Sequence, residues 1–497
     1  MSMTSAEAAR RPLSIETTVD DEHDLFRNEL ASVAPDGRRR WIYARQPSGR
    51  FYRWRSWLSW GLLAFLVLAP FVRVNGLPLL MFNVIERKFV FFGLLFWPQD
   101  FYMVVLVALA VLVTLMLSTV TVGRVWCGWL CPQTIFMEML FRKIEYLIDG
   151  SAEQQLRRSR GPWTAGRVVR TGTKLTIFYV LSFAIANVFL AYIIGSDALW
   201  AIITDPPSQH VVGLTVIVIF SFVFFLVFAR FREQACVLAC PYGRVMSSLI
   251  DRQTITVTYD FARGEPRARL VKGAAAVPDA GDCIDCHQCV TVCPTGIDIR
   301  NGVQLECVNC TACIDACDAV MDRVQRPRGL IRLTSHEAVV DGRLRWLTPR
   351  SAAYAVVWVG LMTAVTWIVA SRSALDVTTL RQPGTLYADL GDGRVGNFYN
   401  VQVFNRTGDL RPFEIHALEP AGASVTPLGL TAEIGPHALL EGRVLVALPL
   451  ASLEGHQSVP VRFEVRTGGT VIQTLSSAFV GPPTRNGTRG TSGSGGQ

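Results

Sequence analysis

The sequence predicts a multidomain membrane protein in three parts: an α-helical bundle of about five transmembrane spans, a cysteine-rich insert before the last span, and a C-terminal all-β sandwich. Three observations carry this reading. Long apolar runs recur through the first 370 residues and are bounded by Arg and Lys. Eight of the 12 cysteines fall between positions 283 and 317. Beyond position 376, short β-rich runs alternate with Gly, Pro, Asn and Asp.

The chain has 497 residues, room for two or three domains, and half of them are hydrophobic. Mean hydropathy is +0.31, high for a soluble protein. The net charge of +8 would suit a nucleic-acid binder, but the basic residues lie beside apolar runs, so membrane topology explains them better. No cysteine follows Cys317, which argues against a disulfide framework and for reduced thiolates that hold metal. Residues 1–40 lack the short apolar core of a signal peptide.

Taken in order, residues 1–56 form an N-terminal segment whose first part, 1–37, reads as disordered. A basic stretch, Arg38 to Arg55, precedes the first apolar run at 57–74. Further spans are expected at 101–122, 175–195, 211–229 and 352–370, the first and last having uncertain ends. Arg and Lys crowd 123–174 and are absent from 196–210. That bias puts the N-terminus and the cysteine-rich insert inside and the C-terminus outside. Phe96-Trp97-Pro98 reads as an interfacial anchor. The divisions are thus 57–250 for four spans, 251–351 for the insert, 352–372 for the fifth span, 376–483 for the sandwich and 484–497 for a Gly/Ser-rich disordered tail. Strands are expected at 397–404, 412–417, 444–450, 459–465 and 471–480.

The insert carries the chemistry. Cys283, Cys286, Cys289 and Cys293-Pro294 form C-x2-C-x2-C-x3-C-P, and Cys307, Cys310, Cys313 and Cys317 repeat the spacing. Tandem runs of this kind are the bacterial ferredoxin signature for two [4Fe–4S] clusters, each completed by the last cysteine of the other run. Cys283, Cys286, Cys289 and Cys317 are therefore assigned to one cluster, and Cys307, Cys310, Cys313 and Cys293 to the other. Zinc pairs are usually spaced farther apart. Asp318 stands where ferredoxins carry Pro, so the turn there is expected to differ. His287 reads as a neighbour of the site, not a ligand.

Two C-x3-C-P motifs, Cys127/Cys131-Pro132 and Cys236/Cys240-Pro241, each come after an apolar run. Proline ends the preceding helix and suits the first turn of another, here at 133–147. Both spans run outside to inside, so four thiolates can gather on one membrane face as a soft site for Cu(I), an Fe–S cluster or zinc. The competing reading is buried free cysteine at helix ends. Met137 and Met139 are read as packing residues. None of the seven histidines lies inside a span, which disfavours membrane haem.

Together these residues resemble the CcoG/RdxA/FixG family of cytochrome oxidase accessory proteins, membrane polyferredoxins. The likeness covers nearly the whole chain, through Phe96-Trp97-Pro98-Gln99-Asp100-Phe101, 125–134 with Cys127 and Cys131, Ala239-Cys240-Pro241-Tyr242-Gly243-Arg244, 293–302, and Cys313-Ile314-Asp315-Ala316-Cys317-Asp318. It implies that the C-terminal sandwich is immunoglobulin-like and that Asp318 is a family trait. It also implies a cupric reductase that supplies Cu(I) for assembly of cbb3-type cytochrome c oxidase. Cys127, Cys131, Cys236 and Cys240 are then the copper-binding, catalytic cysteines. The implied setting is the bacterial inner membrane, with an unknown cytoplasmic electron donor and a copper chaperone or exporter as acceptor. Two other functions fit the same motifs: a quinol dehydrogenase feeding a periplasmic reductase, and a non-enzymatic assembly scaffold.

Overall fold

The computed structural model describes residues 31–33, 36, 38–84, 87–96, 101–270, 278–384, 386–453 and 456–482. Nearly all of the 1–37 segment, the 484–497 tail, and Trp97 and Pro98 of the aromatic anchor lie outside the described residues. The chain divides into two compact units. The first comprises Met1–Val72, Pro78–Arg87 and Pro98–Val365; the second comprises Arg73–Leu77, Lys88–Trp97 and Thr366–Gln497.

Among the described residues, four helices are long and apolar enough to cross a membrane: Phe101–Val122, Ala165–Ile194, Val211–Phe231 and Pro349–Ala370. These correspond to the second to fifth expected spans. The first, expected over 57–74, differs. Its helix, Arg50–Leu68, takes in Arg50, Arg53 and Arg55 and stops short of Pro70, so the apolar part is too short to meet the same measure. The spans bury few side chains. Val211–Leu226 buries Ile217 and Ser221, and Pro349–Ala370 buries Ser351. Apolar faces left this open suit lipid better than water.

Aromatic packing ties the spans to the segment after the first C-x3-C-P motif. Phe141 stacks on Phe228 at 4.7 Å and meets Phe178 edge-on at 4.9 Å. Met137 belongs to the same buried cluster. The stretch after Pro132 is helical to Asp149, as expected near 133–147, but Ile135–Phe141 within it is π-helical. Such π segments often accompany functional sites.

In the insert, strands Thr256–Tyr259 and Ile331–Thr334 pair antiparallel and close its ends together. Between them lie the short helix Gln288–Thr291 and the longer Ala312–Arg323. Their core mixes Val257, Ile297, Ile299, Ile314, Met321 and Leu330 with buried cysteines.

The second unit holds the β-sandwich. One sheet runs Ser424–Leu428, Leu439–Pro449, Arg394–Asn405, Leu375–Arg381, with Ala388–Gly391 also on Arg394–Asn405. The other runs Glu414–Glu419, Ser458–Thr467, Thr470–Val480. All five expected strands appear within a few residues of their predicted ends. Leu375–Arg381 and Ser424–Leu428 were not expected, since polar residues and Pro427 mask their pattern. Tyr399, Val401, Val403, Val444, Val446, Phe463 and Phe479 alternate inward to form the core.

Candidate metal centres

Two small cavities, each with about 20 Å³ of free space, lie in the insert. Cys283, Cys286, Cys289 and Cys317 line one. Cys293, Cys307, Cys310 and Cys313, with Cys289, line the other. Apolar side chains, among them Val257, Ile297, Ile299 and Val308, complete the second wall. Soft thiols converging on a dry cavity fit a cubane cluster in each.

The loops that build the cavities repeat one backbone device. Asp285 and His287 in the first run, and Asn309 and Thr311 in the second, all have φ between 51° and 63°. Left-handed residues other than Gly are uncommon. Their recurrence at matching positions marks a backbone that curls around a ligand, its amides available to an anion. The fourth cysteines differ from each other. Cys293 precedes Pro294, and the amides of Thr295, Gly296 and Ile297 turn toward its sulfur. Cys317 sits inside the unbroken helix Ala312–Arg323. Asp318, in the place of the usual Pro, continues that helix and accepts the Gly329 amide at 2.9 Å. Burial pushes the thiols of Cys289, Cys307 and Cys317 up to about 12 and that of Cys310 to about 11. A coordinating thiol loses its proton outright, so loading must release protons.

His287 lies at the mouth of the first cavity, with Nδ1 2.8 Å from an Arg300 Nη2 donor. Arg300 also pairs with Asp285 and Asp298, each at 2.6 Å. Tyr259, which sequence reasoning missed, lines the same cavity, and its charge state is coupled to Cys283.

The two C-x3-C-P motifs adopt one geometry. Cys131 and Cys240 are extended residues that precede Pro at the first helical position. Each amide donates five residues back, Cys131 N to Trp126 O at 2.8 Å and Cys240 N to Ala235 O at 2.9 Å. The four thiols come together: Cys127 feels Cys131 and Cys240, and Cys236 feels the other three. Burial pushes Cys127 up and Cys236 up to about 12. Among the described residues, no three His, Cys, Asp or Glu side chains are grouped tightly enough for a single metal ion, and this holds for the insert cysteines as well. Met139 is almost wholly buried, its sulfur 3.7 Å from Ser56 Oγ.

The four-thiol set abuts the insert. Gly128 packs so closely that a Cβ there would lie 2.3 Å from Val308 O and 3.0 Å from the Cys310 backbone. Trp129 Nε1 donates to Asn309 O at 3.2 Å, and Arg55 Nε donates to Gly128 O at 2.6 Å. Arg124 donates to Leu305 O. The glycine between Cys127 and Trp129 was the available sequence signal for this close approach; the buried arginines carried none.

A family model described as "4Fe-4S dicluster domain" matches residues 231–336, and one described as "4Fe-4S binding domain" matches 104–149. A third, for the IG-like fold at the C-terminal of FixG, matches 365–482. The molecule is thus a membrane-associated 4Fe–4S electron-transfer protein with an immunoglobulin-like C-terminal domain. Protein RdxB of Cereibacter sphaeroides is 36% identical over 79% of this chain and 85% of its own length. Protein RdxA of the same organism is 36% identical over 77% and 83%. Nitrogen fixation protein FixG of Rhizobium meliloti is 30% identical over 83% and 87%. The chain belongs to the FixG/RdxA family.

Proposed function

We propose that the protein is a cupric reductase that provides Cu(I) for assembly of a cbb3-type oxidase. The observation that supports this most is the gathering of Cys127, Cys131, Cys236 and Cys240 beside the Cys310 loop. In this reading, Cu(II) is the substrate of those four thiols. One electron converts it to Cu(I), and no bond of the chain forms or breaks. Soft sulfur ligands favour the reduced product.

Cys283, Cys286, Cys289 and Cys317 would hold one cluster, and Cys293, Cys307, Cys310 and Cys313 the other. When bound, these clusters supply one-electron storage. The chain's own contribution is to bury the thiols, curl the loop amides around them and press Gly128 onto the Cys310 backbone so that the centres are close. The basic flanks of the spans support a bacterial inner-membrane orientation with the N-terminus and insert cytoplasmic and the C-terminal domain periplasmic. The electron donor would then be cytoplasmic, and a copper chaperone or exporter would take the product.

A second reading is that the four thiols hold a third cluster. The 4Fe–4S binding model over 104–149, which includes Cys127 and Cys131, favours it, as does a spacing wider than a single ion needs. Replacing Cys127 and Cys236 by Ser decides. The copper reading expects iron to stay near wild type while copper binding and cupric reduction by the chemically reduced protein vanish. Unchanged copper reduction would sink it. Loss of roughly a third of the iron would favour the third cluster.

A further inference from the structure

Arg124 is 3% exposed, yet it lies between the two sets of thiols. It starts the short helix Val125–Trp129, and its guanidinium donates to Leu305 O, two residues before Cys307. The same group is within hydrogen-bonding reach of Cys127. Its charge acts on Cys236 and Tyr242 on one side and on Cys307 and Glu306 on the other. Gly243 leaves room for it: a Cβ there would lie 3.0 Å from Nη2. Glu306, the carboxylate that feels it, accepts the Ala31 amide at Oε1 at 2.5 Å. The Arg124 Nε donor has no partner.

A buried guanidinium carries a large desolvation penalty unless negative charge answers it. Glu306 and the thiolates, with the electrons stored beside them, are the anions within reach. Arg55 offers a contrast. It is equally buried and acts on Cys310, but Glu138 acts on that thiol in the opposite sense. Near Cys310 the two charges act in opposite senses, whereas the charge that acts on both Cys127 and Cys307 is that of Arg124.

We propose that Arg124 is the electrostatic link between the ferredoxin loop and the four-thiol set. Its fixed positive charge stabilises an added electron on either side of Leu305 and so raises the potential of both centres. This rests on the reading that both thiol sets hold redox metal. Arg124 touches no substrate in this scheme and acts as a positioning residue through Cys127 and Leu305.

The test compares Arg124→Met and Arg124→Lys in the full-length protein purified anaerobically in detergent. Redox titration of the clusters without copper gives the midpoint potentials, and iron analysis gives the loading. The expected result for Met is wild-type iron with cluster potentials moved to more negative values. Lys, which keeps the charge, should restore most of the potential. Wild-type potentials in Arg124→Met at full iron would overturn the proposal. Should Arg124→Met lose its iron, Arg124→Lys decides. Full iron with a near-wild-type potential supports the charge, and full iron with a clearly lowered potential refutes it. Because the potentials are read without copper, a failed copper assignment would leave this result intact.

Discussion

The two cores of this chain are built on opposite terms. In the C-terminal sandwich, Tyr399, Val401, Val403, Phe463 and Phe479 are fully buried among one another. The polar atoms among them are answered in pairs. Asn397 Nδ2 donates to Val480 O at 2.8 Å, and Tyr399 Oη donates to Ala478 O at 3.0 Å. Asn405 Nδ2 reaches Asp409 O at 2.7 Å and Gly435 O at 2.9 Å. In the ferredoxin insert, Cys283, Cys289, Cys307 and Cys317 belong to the core itself, and cavities remain at its centre. The sandwich is complete as an apolar solid. The insert is complete only with a ligand at the thiols, because voids at its centre cost stability.

Removing iron should separate the two cores most visibly. Chelation under reducing conditions should strip about eight irons per chain and leave the insert open to protease between 251 and 351, because ligand-binding energy there is folding energy. The sandwich should keep its thermal transition. The same chemistry sets the pH dependence. Burial raises the insert thiols, up to about 12 for Cys307 and Cys317, so protons compete harder for the sulfurs as pH falls. Iron loading should therefore weaken toward low pH and hold toward high pH. Joint unfolding of both regions on chelation would show that the contrast is false.

The reverse experiment acts on the sandwich. Phe463 is fully buried and meets Tyr399 edge-on at 5.3 Å. Phe463→Ala should cost about 3–5 kcal/mol by cavity formation. The loss should appear in the β-domain transition alone, with the visible absorbance of the clusters unchanged. A fall in iron content in this variant would mean that the two regions share stability.

Legibility in the sequence divides along the same line. Cysteine spacing locates both thiol runs because a cluster needs short, fixed loops around its corners. Strand patterns at 397–404 and 459–465 were legible because a strand facing one core alternates strictly. The ends of the first helix were less legible: an apolar count across 57–74 places the run, whereas the helix starts at Arg50 among arginines and ends at Leu68 before Pro70. Nor does periodicity reveal long-range partners. Arg55, Arg124 and Asp315 are buried charges whose meaning depends on residues scores of positions away.

Asp315 gives the smallest and most local test of how the insert is anchored. The helix Arg50–Leu68 starts at Gly49, which has no side chain with which to cap it. A Cβ at Gly49 would lie 2.3 Å from Asp315 Cγ, because that carboxylate occupies the cap position from the ferredoxin helix. Its oxygens accept the amides of Phe51 at 3.2 Å and Tyr52 at 2.8 Å. A negative charge there also meets the positive end of the helix dipole. Asp315→Ala should thus cost about 1–2 kcal/mol, the usual worth of a lost helix cap. It is two residues from Cys313 and Cys317, so iron must be measured alongside stability. Full iron with faster amide exchange at Phe51 and Tyr52 is the expected outcome. Unchanged exchange there would show that the helix start is held by other contacts. The sandwich contains its own contacts and should register nothing, whereas in the first unit one carboxylate links the metal-binding helix to the helix that begins the membrane region.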